Sequence, residues 1–243
     1  MISPSLLKYN VTRFVSASSQ RVDMGAVYGF ERTDSWSVAC WLRTTQASGM
    51  LMGKQATSGN FLGWGLFTIS AAIFWRIGFG GLNLSAAVSS AVPTLQDGNW
   101  HHIVATYDGS SDVSGMVVYH NGDVATNTTL DNDLAGSILN AAPFQIGARN
   151  STDSFFSGDM QDASVWTGVL TAANALAMYN KGCPPDVLDL GIGTPLSYWI
   201  LGEHKGDVGG VAAGITSGTN VPDLGSNNFD GTMVNGPTVI TRL

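Results

Sequence analysis

Residues 36–43, Trp-Ser-Val-Ala-Cys-Trp-Leu-Arg, change character with a period of two. Trp36, Val38, Cys40 and Leu42 form one set, and Ser37, Ala39, Trp41 and Arg43 the other. A pleated strand repeats every two residues and a helix every 3.6, so this run belongs in a sheet with one face on a core. The period returns at 100–107 and at 72–79, where Ile73, Trp75, Ile77 and Phe79 share a face. Further short runs lie at 49–54, 63–69, 116–120, 144–147, 155–166 and 196–201. Asn121-Gly122 separates 116–120 from a second β-prone run at 123–126. Both residues tolerate positive φ, which a two-residue hairpin turn requires. Strands at such regular spacing, parted by turn residues, predict an all-β sandwich.

One short helix is expected near 171–181. Thr171 supplies an N-cap, 172–181 are mostly good helix formers, and Gly182 with Pro184-Pro185 ends the run. Leu170, Leu176, Met178 and Tyr179 are the side chains expected to pin it to the sandwich.

The chain has 243 residues, a length that one large sandwich can use as a single domain. Residues 1–243 are therefore read as one domain, with 191–243 as a C-terminal extension that supplies edge strands to the same sandwich. Only 12% of residues are charged, against about 25% in an average domain. Ser, Thr, Asn and Gly must cover the surface instead, which suits packing against copies or partners. The eighteen acids comprise sixteen Asp and two Glu, Glu31 and Glu203. Asp favours turns, so the acidic groups are expected in loops. No Lys/Arg cluster provides a nucleic-acid footprint.

Two cysteines, Cys40 and Cys183, do not make a disulfide framework, and two free thiols are expected, Cys40 buried. No basic stretch followed by an apolar run opens the chain, so no secretion signal is expected. Apolar stretches fall short of the about 18 residues a spanning helix needs; the longest, 62–77, is broken by Gly63, Gly65, Thr68, Ser70 and Arg76.

Several of these runs resemble consecutive strands of laminin-G-like domains of the concanavalin A-like lectin/glucanase superfamily. They are Ser35-Trp-Ser-Val-Ala-Cys-Trp-Leu-Arg43, Trp100-His-His-Ile-Val-Ala-Thr-Tyr-Asp-Gly109, Val118-Tyr-His-Asn-Gly122, Phe144-Gln-Ile-Gly147 and Phe156-Ser-Gly-Asp-Met-Gln-Asp-Ala-Ser-Val-Trp166. Leu170-Thr171 and the short helix continue the series. The resemblance implies a two-sheet antiparallel jelly roll. Ser197-Tyr-Trp-Ile-Leu-Gly-Glu203 and the stretch from Asp223 to Pro237 resemble the opening strands of such domains, here placed last. Permuted versions of this kind resemble structural proteins of tailed bacteriophages. The implied role is a non-enzymatic virion protein decorating a capsid or tail, assembled in copies with other virion proteins, with a face that could be offered to host glycans. A lectin or adhesin module of a bacterial protein is the alternative, and a glycoside hydrolase with an atypical site the second alternative.

Glucanases of the superfamily carry two Glu and an Asp at alternating positions on one strand, and this sequence lacks that motif. Asp159 and Asp162 are three apart, so strict alternation would put them on opposite faces. His101 and His102 are adjacent, face opposite ways and cannot chelate one ion together. No cofactor is required by any motif. Laminin-G-like domains often hold calcium in acidic rim loops, which makes Asp108, Asp112, Asp131, Asp133 and Asp159 the candidate ligands. Residues 131–136 begin like an EF-hand loop, but Ala135 and Ala142 occupy positions that need oxygen donors. Among seven tryptophans, Trp36, Trp41, Trp100 and Trp166 fall in the family motifs as packing residues. Trp64 and Trp75 are the candidates to stack against a sugar on an exposed face.

Overall fold

Alternating strands bury their apolar sets only by closing two sheets over one another. The computed structural model, which describes residues 9–56, 61–79, 84–92, 94–202 and 219–242, has that arrangement. In chain order the strands are β1 (Tyr9–Phe14), β2 (Arg21–Asp23), β3 (Trp36–Arg43), β4 (Ser48–Gln55), β5 (Gly63–Ile69) and β6 (Ala72–Phe79). Then come β7 (Leu84–Ala91), β8 (Trp100–Tyr107), β9 (Met116–His120), β10 (Asp123–Val124), β11 (Asn127–Asn132) and β12 (Gln145–Ile146). The last are β13 (Gly158–Thr167), β14 (Ser197–Trp199), β15 (Asn220–Val221), β16 (Gly231–Val234) and β17 (Thr238–Arg242).

Seven strands run β10-β9-β8-β3-β13-β1-β17 and β14 joins β13, giving a sheet of eight. The other sheet runs β11-β7-β6-β5-β4-β12-β2-β16-β15. All pairings are antiparallel, and the fold is an all-β jelly-roll sandwich. Strands from 197 onward enter both sheets, β17 beside β1 and β16 beside β2.

The shared core takes Trp36, Val38, Cys40 and Leu42 from one sheet and Leu66, Ile73, Trp75 and Ile77 from the other. A smaller apolar cluster lies on the outer side of the eight-stranded sheet, where Ala39, Val104, Tyr119 and Trp166 meet Ala175 and Met178 of the helix. The Asn121-Gly122 turn forms as its chemistry requires, with φ of 52° and 86°.

The helix α1 spans Ala172–Tyr179 and starts on a capping box between Thr171 and Asn174. It ends two residues earlier than expected, because Asn180 takes the left-handed cap at φ 43°. Leu170 and Met178 are buried as expected, but Leu176 is exposed, at the edge of the sheet beside the Gly122 turn. Neither cysteine is in a disulfide. Cys40 is fully buried and burial pushes its thiol up to about 12.

One strand departs from strict alternation. Between Gln161 and Ser164, β13 shifts register against β3, and Asp162 sits there at φ 52°. The bulge resets the count, so Met160 and Ala163 both enter the core. Asp162 consequently accepts the Tyr198 hydroxyl at 2.7 Å, in the outer layer that Asp159 also faces. The expectation that these two acids lie on opposite sides fails for that reason.

Candidate functional site

Each sheet has a second face turned away from the core. On the nine-stranded sheet, Gly53 of β4 pairs with Gly65 of β5, which pairs with Arg76 of β6. A Cβ at Gly65 would stand 3.1 Å from Met50 Cε, and one at Gly53 2.8 Å from the Trp64 carbonyl. Gly53 is thus required by close backbone approach, and Gly65 leaves room for Met50 to lie over the strands. In the next outward row, Met50, Phe67 and Phe74 stand side by side on β4, β5 and β6.

The Phe67 and Phe74 rings stack 5.4 Å apart at 17° and are half-buried. The Arg76 guanidinium lies 6.0 Å from the Phe67 ring and 3.9 Å from Asp131 of β11. Beside them, Met50 N–H donates to the Ser154 carbonyl at 2.8 Å. Arg149 pairs with Asp153 at 2.6 Å and covers the Phe61 ring at 4.3 Å. A cavity of about 250 Å³ opens between Ser48, Met50, Phe67, Ile69, Arg149 and Ser154. The result is an aromatic platform with a guanidinium on either side, which can hold an apolar ring face while polar groups fix its edge.

Trp64 and Trp75 are not part of this surface. Both are fully buried in the shared core. The Trp64 indole N–H donates to the Tyr28 carbonyl at 3.1 Å and that of Trp75 to the Thr106 carbonyl at 3.0 Å. Their role as sugar-stacking residues is corrected accordingly. Alternation identifies which residues share a face, but not which face turns inward. On β6 the uniformly bulky face of Ile73, Trp75 and Ile77 goes in, and the mixed face of Phe74, Arg76 and Gly78 goes out. That mixture of ring, charge and glycine was the available signal for Phe67 and Phe74.

The five candidate calcium ligands are not brought together. Asp108 accepts from Ser110 N–H at 2.8 Å, and Asp112 accepts from Ser114 N–H at 2.8 Å and Asn132 Nδ2 at 3.1 Å. Asp131 lies near Arg76 on the nine-stranded sheet, and Asp133 is exposed just beyond β11. Asp159 is on the other sheet, buried, with Arg13 at 2.7 Å and Arg43 at 2.5 Å. Its oxygens are held by guanidiniums, so it is not a calcium ligand. Among the described residues no three His, Cys, Asp or Glu side chains form a metal site. Glu203 lies outside the described residues.

The histidines serve packing and hydrogen bonding. His102 packs against Trp41 with ring centroids 4.9 Å apart and tilted at 37°, and burial, with the nearby His120, pushes its pKa down to about 3. His101 faces the other way, with Nδ1 2.9 Å from His120 Nε2 and Nε2 3.2 Å from Asp97.

Residues 16–175 match the family profile described as the concanavalin A-like lectin/glucanases superfamily, in its laminin G form. No curated protein sequence matches the chain. A candidate carbohydrate-binding protein from Bacteroides ovatus superposes with a TM-score of 0.63 at 18% identity, covering 97% of this chain and 60% of that one. The LG4-5 domains of the mouse laminin alpha1 chain give 0.45 at 14% identity, covering 65% and 40%. The binding domain of Paraclostridial Mosquitocidal Protein 1 gives 0.44 at 15% identity, covering 63% and 38%. The chain thus spans less than two thirds of each of these structures. On the match over residues 16–175 and the two-sheet fold that carries it, the chain belongs to the concanavalin A-like lectin/glucanases superfamily.

Proposed function

We propose that the protein is a non-enzymatic carbohydrate-binding module that takes sugar rings on the outer face of the nine-stranded sheet. The observation that carries this reading is the stacked, half-buried pair Phe67 and Phe74 on a face floored by glycine and Met50. Aromatic faces accept the apolar face of a pyranose, and a few convergent polar groups give orientation. Arg76, Asp131 and Arg149 supply those groups at the rim. The module is taken as residues 1–243, with 191–243 completing both sheets.

The non-enzymatic part rests on the carboxylates. Retaining glycoside hydrolysis needs two carboxyl groups about 5–5.5 Å apart. The cavity beside Phe67 is lined by no Asp or Glu, and the one carboxylate lining the larger cavity on the opposite sheet, Asp159, is tied to two arginines.

A glycan array probed with the wild-type chain and with the Phe67→Ala/Phe74→Ala double variant tests the reading. Wild type should retain a defined set of glycans and the folded double variant should lose them. An array without retained glycans, or unchanged retention by the double variant, overturns it.

The second reading places the same module on a particle, as a capsid or tail decoration of a tailed phage assembled in several copies. The late position of the opening-strand motifs in 197–237 favours it, as does the low share of charged residues, 12%. Detection of the chain in purified virions would support that location, and virions lacking it would end it.

A further inference from the structure

The opposite sheet carries a row with different chemistry. Register places Thr238, Arg13, Asp159, Arg43 and Trp100 side by side on five adjacent strands, β17, β1, β13, β3 and β8. Arg13 donates from Nε and Nη2 to the two oxygens of Asp159, at 2.7 and 3.0 Å. Arg43 donates from Nε and Nη2 to Asp159 Oδ2, at 2.9 and 2.5 Å. The carboxylate is 2% exposed, against 47% for Arg13. It is therefore a fixed anchor that sets two guanidiniums side by side.

Two cations on one anion leave a positive charge over. The two arginines together make four hydrogen bonds to Asp159, which fills the carboxylate's acceptor sites and leaves the pair with one uncompensated charge. The hydrogen bonds to Asp159 use Nε and Nη2 of each guanidinium, and the Nη1 groups make none to the described residues. Arg43 is held further by the Trp100 ring, 5.3 Å from its guanidinium carbon. A cavity of about 340 Å³ opens on this row, lined also by Phe14, Thr45 and Gly98. Asp97, next to the lining residue Gly98, is engaged by the Asn99 amide and His101.

We infer that this cavity binds a carboxylated sugar, one hexuronic acid unit whose carboxylate bridges the Nη1 groups of Arg13 and Arg43. The two oxygens of a carboxylate can each accept from one Nη1 group, and a compact inorganic anion does not use the rest of the cavity. The volume is at the lower end of small-ligand sites, which suits one ring and not a chain. The site is separate from the Phe67 and Phe74 platform and does not depend on it.

Calorimetric titration of the full chain with D-glucuronate, D-glucose and inorganic sulfate provides the test. Glucuronate should saturate, glucose should not bind, and sulfate should bind more weakly. Arg13→Gln should weaken glucuronate at least about tenfold, the loss expected for a charge-assisted hydrogen bond. Arg13→Lys, which keeps the charge without the fork, should weaken it less. The Phe67→Ala/Phe74→Ala variant should bind glucuronate like wild type, which separates this site from the platform. The inference falls if glucuronate does not saturate, if sulfate binds as tightly, or if Arg13→Gln binds unchanged.

Discussion

Trp75 and Phe74 are neighbours on β6 with opposite surroundings, so truncating each in turn tests the assignment of faces. Trp75 is fully buried, its ring 6.1 Å from Trp36 and 6.0 Å from Trp64. Its indole N–H satisfies the Thr106 carbonyl at 3.0 Å. Trp75→Ala opens a cavity, worth about 3–5 kcal/mol for a buried aromatic. It also orphans the carbonyl, at about 1–3 kcal/mol. A total of about 4–8 kcal/mol is comparable with the whole stability of a domain, about 5–15 kcal/mol, so the variant stands at the edge of folding. Phe74 loses its stack on Phe67, worth about 0.5–1.5 kcal/mol, and otherwise gives up a half-exposed ring. Phe74→Ala should therefore cost about 1 kcal/mol. Urea unfolding followed by far-UV circular dichroism reads both. With a slope of about 3 kcal/mol per molar, the midpoint falls by at least about 1.3 M for Trp75→Ala and about 0.3 M for Phe74→Ala. Equal shifts, or a larger one for Phe74→Ala, would show that the two faces of β6 are reversed and that no platform exists.

Two further outcomes follow from burial. Because His102 has its pKa pushed from 6.5 to about 3, the unfolded chain takes up this proton at a higher pH than the folded one. Its contribution is intact above pH 6.5 and declines as pH falls toward 3, by about 1.4 kcal/mol per unit. His102→Phe keeps a ring against Trp41 and should flatten that acid limb in urea midpoints measured as a pH series; an unchanged slope refutes the assignment. Cys40 is fully buried and Cys183 is half-buried, so a thiol reagent at about pH 8 should label one cysteine in the native chain and two in urea. Two labelled thiols in the native chain would contradict the packing of β3.

What the sequence made legible is what short-range patterns determine. The β9–β10 hairpin needs only Asn121-Gly122, and the core side of β3 only the alternation from Trp36 to Leu42. Trp64 and Trp75 were misplaced because a period of two is blind to which side is inward, and because tryptophan suits a core and a sugar platform equally. The β13 bulge escaped because Asp162 is displaced by register against β3, a constraint from a strand more than a hundred residues away. Residues 145–146 make a strand of two, wedged between β4 and β2, too short to carry a period. The Arg13, Asp159 and Arg43 cluster joins three strands distant in sequence, and no local motif announces it. Leu176 was expected inward because an eight-residue helix with many small residues has a weakly defined apolar stripe.

The difference between the two outer faces gives a physical reason for both proposed sites. The middle of the eight-stranded sheet is apolar outside as well as inside, through Ala39, Val104, Tyr119 and Trp166. Such a face must be roofed, and α1 with Val187 roofs it, over a patch that Tyr198 and Ile200 extend beside β13. The roof reaches as far as Trp41, where the Tyr179 ring stacks at 5.7 Å. The row beyond holds Arg13, Asp159 and Arg43, which are solvated or paired and need no cover. The nine-stranded sheet solves its outer face differently, with Gly53, Gly65 and Met50 leaving little apolar area to hide. Two stacked phenylalanines on that face run against the economy of the rest, since smaller residues would pair the strands without exposing ring surface. Their stack helps to pair β5 with β6, and their open side, between two guanidiniums, is what the proposed ring-binding surface would use.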